Sequence, residues 1–158
     1  MKKLVKLLLC MTLVLALTGC GKEQSATYKL EQDMMGITIT DTQTITAKGD
    51  KVTTMKEVTE ISFGDLSEDD IAAAAETYDQ TYGDLAATFP EGVDATYGLD
   101  GNVYKFELTM DLAGADIDKL IEAGLVTVPA GQEDKKIVYI SFKQSCEALE
   151  SMGYTVVE

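Results

Sequence analysis

The 158-residue chain contains no histidine and no arginine. Without histidine it lacks the commonest general base and the commonest transition-metal ligand. Ser-His-Asp and Cys-His nucleophilic machinery are therefore excluded. Without arginine it lacks the side chain around which phosphate and nucleic acid sites are usually built. Cations are scarce altogether: 13 lysines stand against 27 Asp and Glu, a formal charge of −14. A chain this acidic repels a polyanion, which excludes nucleic acid as a partner. Long apolar runs are missing too. The one sizeable stretch, Leu7 to Leu17, falls short of the about 20 residues that a bilayer-spanning helix needs.

What is present begins at the N-terminus. Met1-Lys2-Lys3 and Lys6 supply a positive start, Leu7 to Leu17 an apolar middle, and Thr18-Gly19 a small pair directly before Cys20. That order is the order of an export signal. Leu17-Thr18-Gly19-Cys20 resembles the lipobox of bacterial lipoproteins. The resemblance implies cleavage between Gly19 and Cys20 and a diacylglyceryl group on the Cys20 sulfur. The product would be a chain anchored to the cell membrane and facing outside the cytoplasm. Two acyl chains hold a protein where one gives only marginal, reversible binding.

Cleavage leaves 139 residues (158 less 19), the length of one domain. Lys2, Lys3 and Lys6 are the only charges removed, so the formal charge falls from −14 to near −17. At that charge the domain itself is not expected to bind anionic headgroups. Cys10 leaves with the signal and Cys20 takes lipid, so Cys146 has no partner for a disulfide. Residues 20–26 (Cys-Gly-Lys-Glu-Gln-Ser-Ala) read as the lipidated cysteine and a flexible tether, and 27–158 as a single domain.

Within that domain Tyr28–Met34 and Ile37–Ala47 read as strands about Gly36. Thr38, Thr40, Thr42, Thr44 and Thr46 alternate with Ile37, Ile39 and Ile45, which gives one wet and one buried face. Lys48-Gly49-Asp50-Lys51 is a turn. Val52–Phe63 is a third strand of imperfect alternation, with Val52 and Val58 even and Met55, Ile61 and Phe63 odd, as a bulge or partial burial of both faces would cause. Ser67 caps a helix over Glu68–Ala87, with Glu68, Asp69 and Asp70 where the helix dipole favours negative charge. Asp100-Gly101-Asn102 joins two strands in a hairpin, Val93–Leu99 and Val103–Met110. Asp116–Ala123 reads as a short helix stopped at Gly124. Leu125–Val128 then reads as extended, Ala130–Lys136 as a loop and Ile137–Ile140 as a short apolar run. Ser141 with Gln144 makes a capping box for a last helix, Phe142–Met152, followed by an edge strand from Tyr154 to Val157. The expected fold is α+β: an antiparallel sheet with about three helices on one face, in two layers.

Across nearly the whole mature chain these features resemble the YehR-like small bacterial lipoproteins. The likeness rests on the lipobox, on Lys48-Gly49-Asp50-Lys51-Val52 after a Thr/Ile strand, and on the acid-capped helix from Ser67. Asp111, Asp116-Ile117 leading into Lys119-Leu120, and the ending Leu149-Glu150-Ser151-Met152-Gly153-Tyr154 extend it. It implies an envelope lipoprotein with a helix-on-sheet fold and supplies no catalytic residues.

Each feature with chemical promise also has a structural reading. Asp111, Asp116 and Asp118 offer oxygens, but no Asp-x-Asp-x-Asp-Gly loop follows, and helix capping accounts for them. Cys146 has Ser145 and Glu147 beside it and the spacing of a buried helix face, which makes it a core thiol. Tyr78 and Tyr82, one turn apart, suit a helix–sheet core better than a stacking platform. Met34-Met35 is a candidate sticky patch, with no His or Cys beside it to suggest copper. No cofactor or metal is expected. The leading expectation is a non-enzymatic module that binds an envelope protein or small ligand. The alternative is a carboxylate- or cation-dependent hydrolase.

Overall fold

The computed structural model describes residues 21–126 and 139–157. Six strands and three helices follow in the order β1 (Glu23–Met34), β2 (Ile37–Lys48), β3 (Lys51–Ser62), α1 (Glu68–Ala86), β4 (Val93–Asp100), β5 (Val103–Asp111), α2 (Ile117–Glu122), α3 (Phe142–Ser151) and β6 (Thr155–Val157). The strands form one antiparallel sheet in the order β4-β5-β3-β2-β1-β6. The chain thus leaves β3 through α1, forms the outer strand β4, and returns by a hairpin to seat β5 beside β3. This is the expected α+β architecture.

The parity of β2 and β5 decides which face is covered. Ile45 and Ala47 on β2 and Tyr104, Phe106, Leu108 and Met110 on β5 are buried on the helix-bearing side. Fully burying one such aliphatic side chain contributes roughly 1.5–3 kcal/mol. The threonines of β2 line the opposite, partly exposed face, where Thr27 and Thr44 lie in hydroxyl contact across the β1–β2 pair at 3.2 Å. Lys56 and Lys105 meet Glu107 on the same face, at 2.7 and 3.8 Å. The expected bulge in the third strand lies where Thr46 pairs with Thr54 and Ala47 with Val52, leaving Thr53 as the extra residue. It turns Val52 onto the face of Met55, which is the parity switch read in the sequence.

The helices begin where their caps predict. Ser67 Oγ accepts from the Asp70 N–H at 3.2 Å, the Asp116 carboxylate accepts from the Asp118 N–H, and Ser141 Oγ accepts from the Gln144 N–H. The start of α3 is also tied to the β2–β3 turn. Asp50 accepts from the Ser141 hydroxyl at 2.8 Å and from the Lys143 N–H at 3.0 Å, across more than ninety residues of chain.

One expectation is corrected. The stretch read as a tether is ordered strand from Glu23 onward, with Gln24 opposite Ala47 and Ala26 opposite Ile45. The Gln24 side-chain amide donates to the Gly49 carbonyl, and the Gly49 N–H donates to the Lys22 carbonyl at 3.0 Å. A polar, small composition looked flexible, but a neighbouring strand of equal length offers every backbone group a partner. The readings for residues 127–138 lie outside the described residues.

Candidate functional site

On β2 and β3 the buried face splits into two apolar clusters, which Tyr82 of α1 bridges over β5. Toward the β2–β3 turn, Tyr28, Ile45, Val52, Met110, Leu120 and Leu149 pack together under α2 and α3. Toward the other end, Ile61, Phe63, Ile71, Ala75 and Tyr104 pack under α1. Between them, on β2 and β3, runs a polar row. Asp41 sits opposite Thr59 and Gln43 opposite Glu57, all four on the helix-bearing side by their register with Ile39 and Ile45. Each is partly exposed.

Asp41 is the hub of this row. It accepts from the Tyr154 hydroxyl, from Gln43 Nε2 at 3.2 Å and from the Thr59 hydroxyl at 3.5 Å. Burial pushes the Glu57 carboxyl above the ordinary carboxylate range; the Asp41 charge adds to the rise, while hydrogen bonds from Gln43 and Thr59 oppose it. Burial also raises the Tyr154 hydroxyl, and its bond to Asp41 raises it further. The row can hold a proton on Glu57 above the pH at which a free glutamate loses it, and it can accept or donate hydrogen bonds to a polar guest. No sequence motif contains these residues, so spacing alone did not single them out. Their signal was parity: Asp41 and Gln43 are odd-numbered with Ile37, Ile39 and Ile45.

The residues singled out in the sequence are dispersed. Gly19 and Cys20 lie outside the described residues. Asp111 accepts from the Ala113 N–H at 3.0 Å and Asp116 caps α2, so both serve local turns. Among the described residues no three acidic or thiol side chains converge as metal ligands would. Cys146 is half-buried on α3; burial raises its thiol, a hydrogen bond with Tyr28 lowers it, and the Glu150 and Asp50 charges raise it again. The net effect disfavours a thiolate. Tyr82 stacks on Phe106 with centroids 4.3 Å apart, and Tyr78 tilts against Tyr104 at 5.1 Å. Both tyrosines belong to the core, as their spacing suggested. Met34 and Met35 are exposed at the β1–β2 turn. Two shallow hollows, about 540 and 470 Å³, share Pro90 and Lys119 near α2 and do not touch the polar row.

Fold and site together define a two-layer α+β domain with an antiparallel sheet, helices on one face and a partly exposed polar row between two apolar clusters on β2 and β3. Residues 24–155 match the family described as a protein of unknown function, DUF1307, and the chain belongs to that family. The NMR structure of the YehR protein of Escherichia coli is similar at 24% identity and a TM-score of 0.61, over 87% of this chain and 92% of that one. The NMR structure of a protein from Streptococcus pneumoniae TIGR4 matches at 14% identity and a TM-score of 0.49, over 99% and 98%. No curated protein matches the chain. The likeness to YehR, at this identity, is one of fold.

Proposed function

We propose that this chain is an extracytoplasmic lipoprotein, held at the cell membrane by a diacylglyceryl group on Cys20, whose domain binds an envelope protein without catalysing a reaction. Leu17-Thr18-Gly19-Cys20 supports the anchor. The binding reading is carried by one observation, the free edge of β4. Among the described residues, Val93–Asp100 pairs only with β5, over its full length and without a register shift. The strand contains no lysine, proline or bulge, three of the devices by which sheets block unwanted pairing. Its edge therefore suits an added strand, with main-chain hydrogen bonds supplying affinity. Asp94 and Asp100 along it, with Glu91 just before it, favour an extended segment that carries lysine or arginine. The opposite edge, β6, is only three residues long.

Mass spectrometry of the native chain tests the anchor: a diacylglyceryl mass on an N-terminal Cys20 is expected, and residues 1–19 still attached would refute it. A photo-crosslinker at Asp94 in living cells tests the edge. A discrete adduct is expected, absent from a crosslinker at Thr42 on the open face and abolished by Thr96→Lys. Equal adducts from both positions, or indifference to Thr96→Lys, would refute the edge.

A second reading, a carboxylate-dependent hydrolase, draws on Glu57 and Asp41. They are diagonal neighbours on paired strands, roughly 7–8 Å apart at their Cα atoms, and Glu57 holds its proton unusually well. An envelope glycan cleaved by the wild type and untouched by Glu57→Gln would favour it.

A further inference from the structure

The anchor end of the domain carries a distinctive share of its few cations. The Gly49 N–H holds the Lys22 carbonyl at 3.0 Å, so Lys22 is fixed to the β2–β3 turn. Lys48 and Lys51 flank that turn and pair directly opposite each other. The Asp50 carboxylate and carbonyl bring the start of α3, and with it Lys143, to the same place. All four lysines are exposed. Among the described residues Lys22, Lys48 and Lys51 make no ion pair, and Lys143 reaches Glu147 only at 3.8 Å. Two like charges directly opposite in a strand pair destabilise it, so the Lys48–Lys51 pair costs the fold something. Acids also lie at this end: Glu23 and Asp50 beside the turn, with Asp50 engaged by the α3 cap, Glu147 one turn along α3 from Lys143, and Asp111 of β5 opposite Thr54.

The far end is the reverse. Asp33, Asp65, Asp69, Asp70 and Asp100 lie at or beside the turns there, with no lysine among the described residues of those turns. A twelve-residue strand separates the two ends, about 40 Å at the usual rise. That is several times the Debye length of about 8 Å at physiological salt. Cys20 lies two residues from Lys22, about 7 Å of chain at most.

We propose that the lysine collar Lys22, Lys48, Lys51 and Lys143 faces the anionic phospholipid headgroups, so that the domain rests on the membrane by its β2–β3 turn with its acidic tip outward. This rests on Cys20 being the point of attachment. Net charge alone argued against headgroup contact. Placement reverses that expectation, because the membrane feels only charges within a Debye length and the acids of the tip lie far beyond it. Each lysine near such a surface favours contact by roughly fivefold. An acidic corner at Glu91, Asp111, Asp116 and Asp118, on the β4–β5 side, tilts the domain so that the β1–β3 side sits lowest.

The test supplies the anchor chemically. The chain from Cys20, with Cys146→Ala so that one thiol reacts, is coupled to maleimide-lipid vesicles of phosphatidylcholine with or without phosphatidylglycerol. Lysines are then acetylated and mapped by mass spectrometry. On the anionic vesicles Lys22, Lys48, Lys51 and Lys143 should be protected at least roughly threefold relative to Lys29, Lys56 and Lys105, in line with the headgroup attraction per lysine. High salt should remove the protection. Lys48→Gln with Lys51→Gln and Lys143→Gln should expose Lys22 while circular dichroism stays unchanged. Identical labelling on both vesicles, or protection of Lys29, Lys56 and Lys105 instead, would overturn the collar. Either result leaves the native anchor standing, since that is read separately from the mass of the cellular protein.

Discussion

Replacing Asp50 with alanine should loosen the joint between the β2–β3 turn and α3 without removing either element. The carboxylate accepts two hydrogen bonds, from the Ser141 hydroxyl at 2.8 Å and the Lys143 N–H at 3.0 Å. Losing a helix-capping side chain costs about 0.5–2 kcal/mol, and Asp50 is exposed, which places its two bonds in the middle of that range. The backbone part of the joint survives the substitution. Val52 still donates to the Ile140 carbonyl and Phe142 to the Asp50 carbonyl, and Ser141 still caps Gln144. The net cost should be about 1.5 kcal/mol. At the usual unfolding entropy per residue, a domain of this length should lose roughly 5 °C in Tm. The assay is thermal and urea unfolding of wild type, Asp50→Ala, Ser141→Ala and the double variant. Ser141→Ala removes both the cap of Gln144 and the donor to Asp50, so the two substitutions share one bond. The double variant should therefore cost less than the singles added together, by about 0.5 kcal/mol or more. Strict additivity, or a change in Tm within error for Asp50→Ala, would refute the reasoning.

Three further outcomes follow from particular contacts. A Cβ on Gly64, at φ +57, would run into the Gly36 carbonyl oxygen of the β1–β2 turn, whereas one on Gly101, at φ +61, meets nothing. Gly64→Ala should therefore be less stable than Gly101→Ala by about 1 kcal/mol or more in urea unfolding, the extra cost being steric. Leu120, 1% exposed on the six-residue α2, should cost about 3 kcal/mol when cut to alanine, and a change in urea midpoint too small for that would show that the core collapses around the gap. Glu57 binds its proton more tightly in the folded chain than at its ordinary 4.5, chiefly because burial disfavours its charge. Folding is therefore penalised as pH rises through the raised value and is unpenalised below 4.5, at about 1.4 kcal/mol for each tenfold gain in proton affinity. Glu57→Gln should be more stable than wild type at pH 7 and equal to it at pH 4; the same gap at both would show that the carboxyl is not desolvated.

Much of the secondary structure was legible because it is local. The Asp100-Gly101-Asn102 turn, the Ser67 cap with its acids and the Ser141–Gln144 box each act through neighbours in the chain. Alternation along β2 and β5 reported their buried faces for the same reason. The broken alternation along β3 is consistent with a bulge, and only the strand register places it at Thr53. Asp41 and Gln43 were legible in principle, since they share parity with Ile37, Ile39 and Ile45. A polar residue at an inward position breaks the apolar alternation, so from the sequence alone it reads as a loss of pattern rather than as a feature.

The amino-acid sequence by itself determined the acidic charge, the absence of histidine and arginine, and the periods that make each strand and helix. Those follow from residue type and from spacings of a few residues, where the chain has little freedom. Only the tertiary structure decided that β5 lies beside β3, that β6 closes on β1, and that Glu23–Ala26 joins a strand. It alone brought Asp50 to Ser141, Asp41 to Tyr154 and four lysines to one end of an acidic domain. Such pairings join distant parts of the chain, and burial of the shared core, which no local spacing encodes, selects among them.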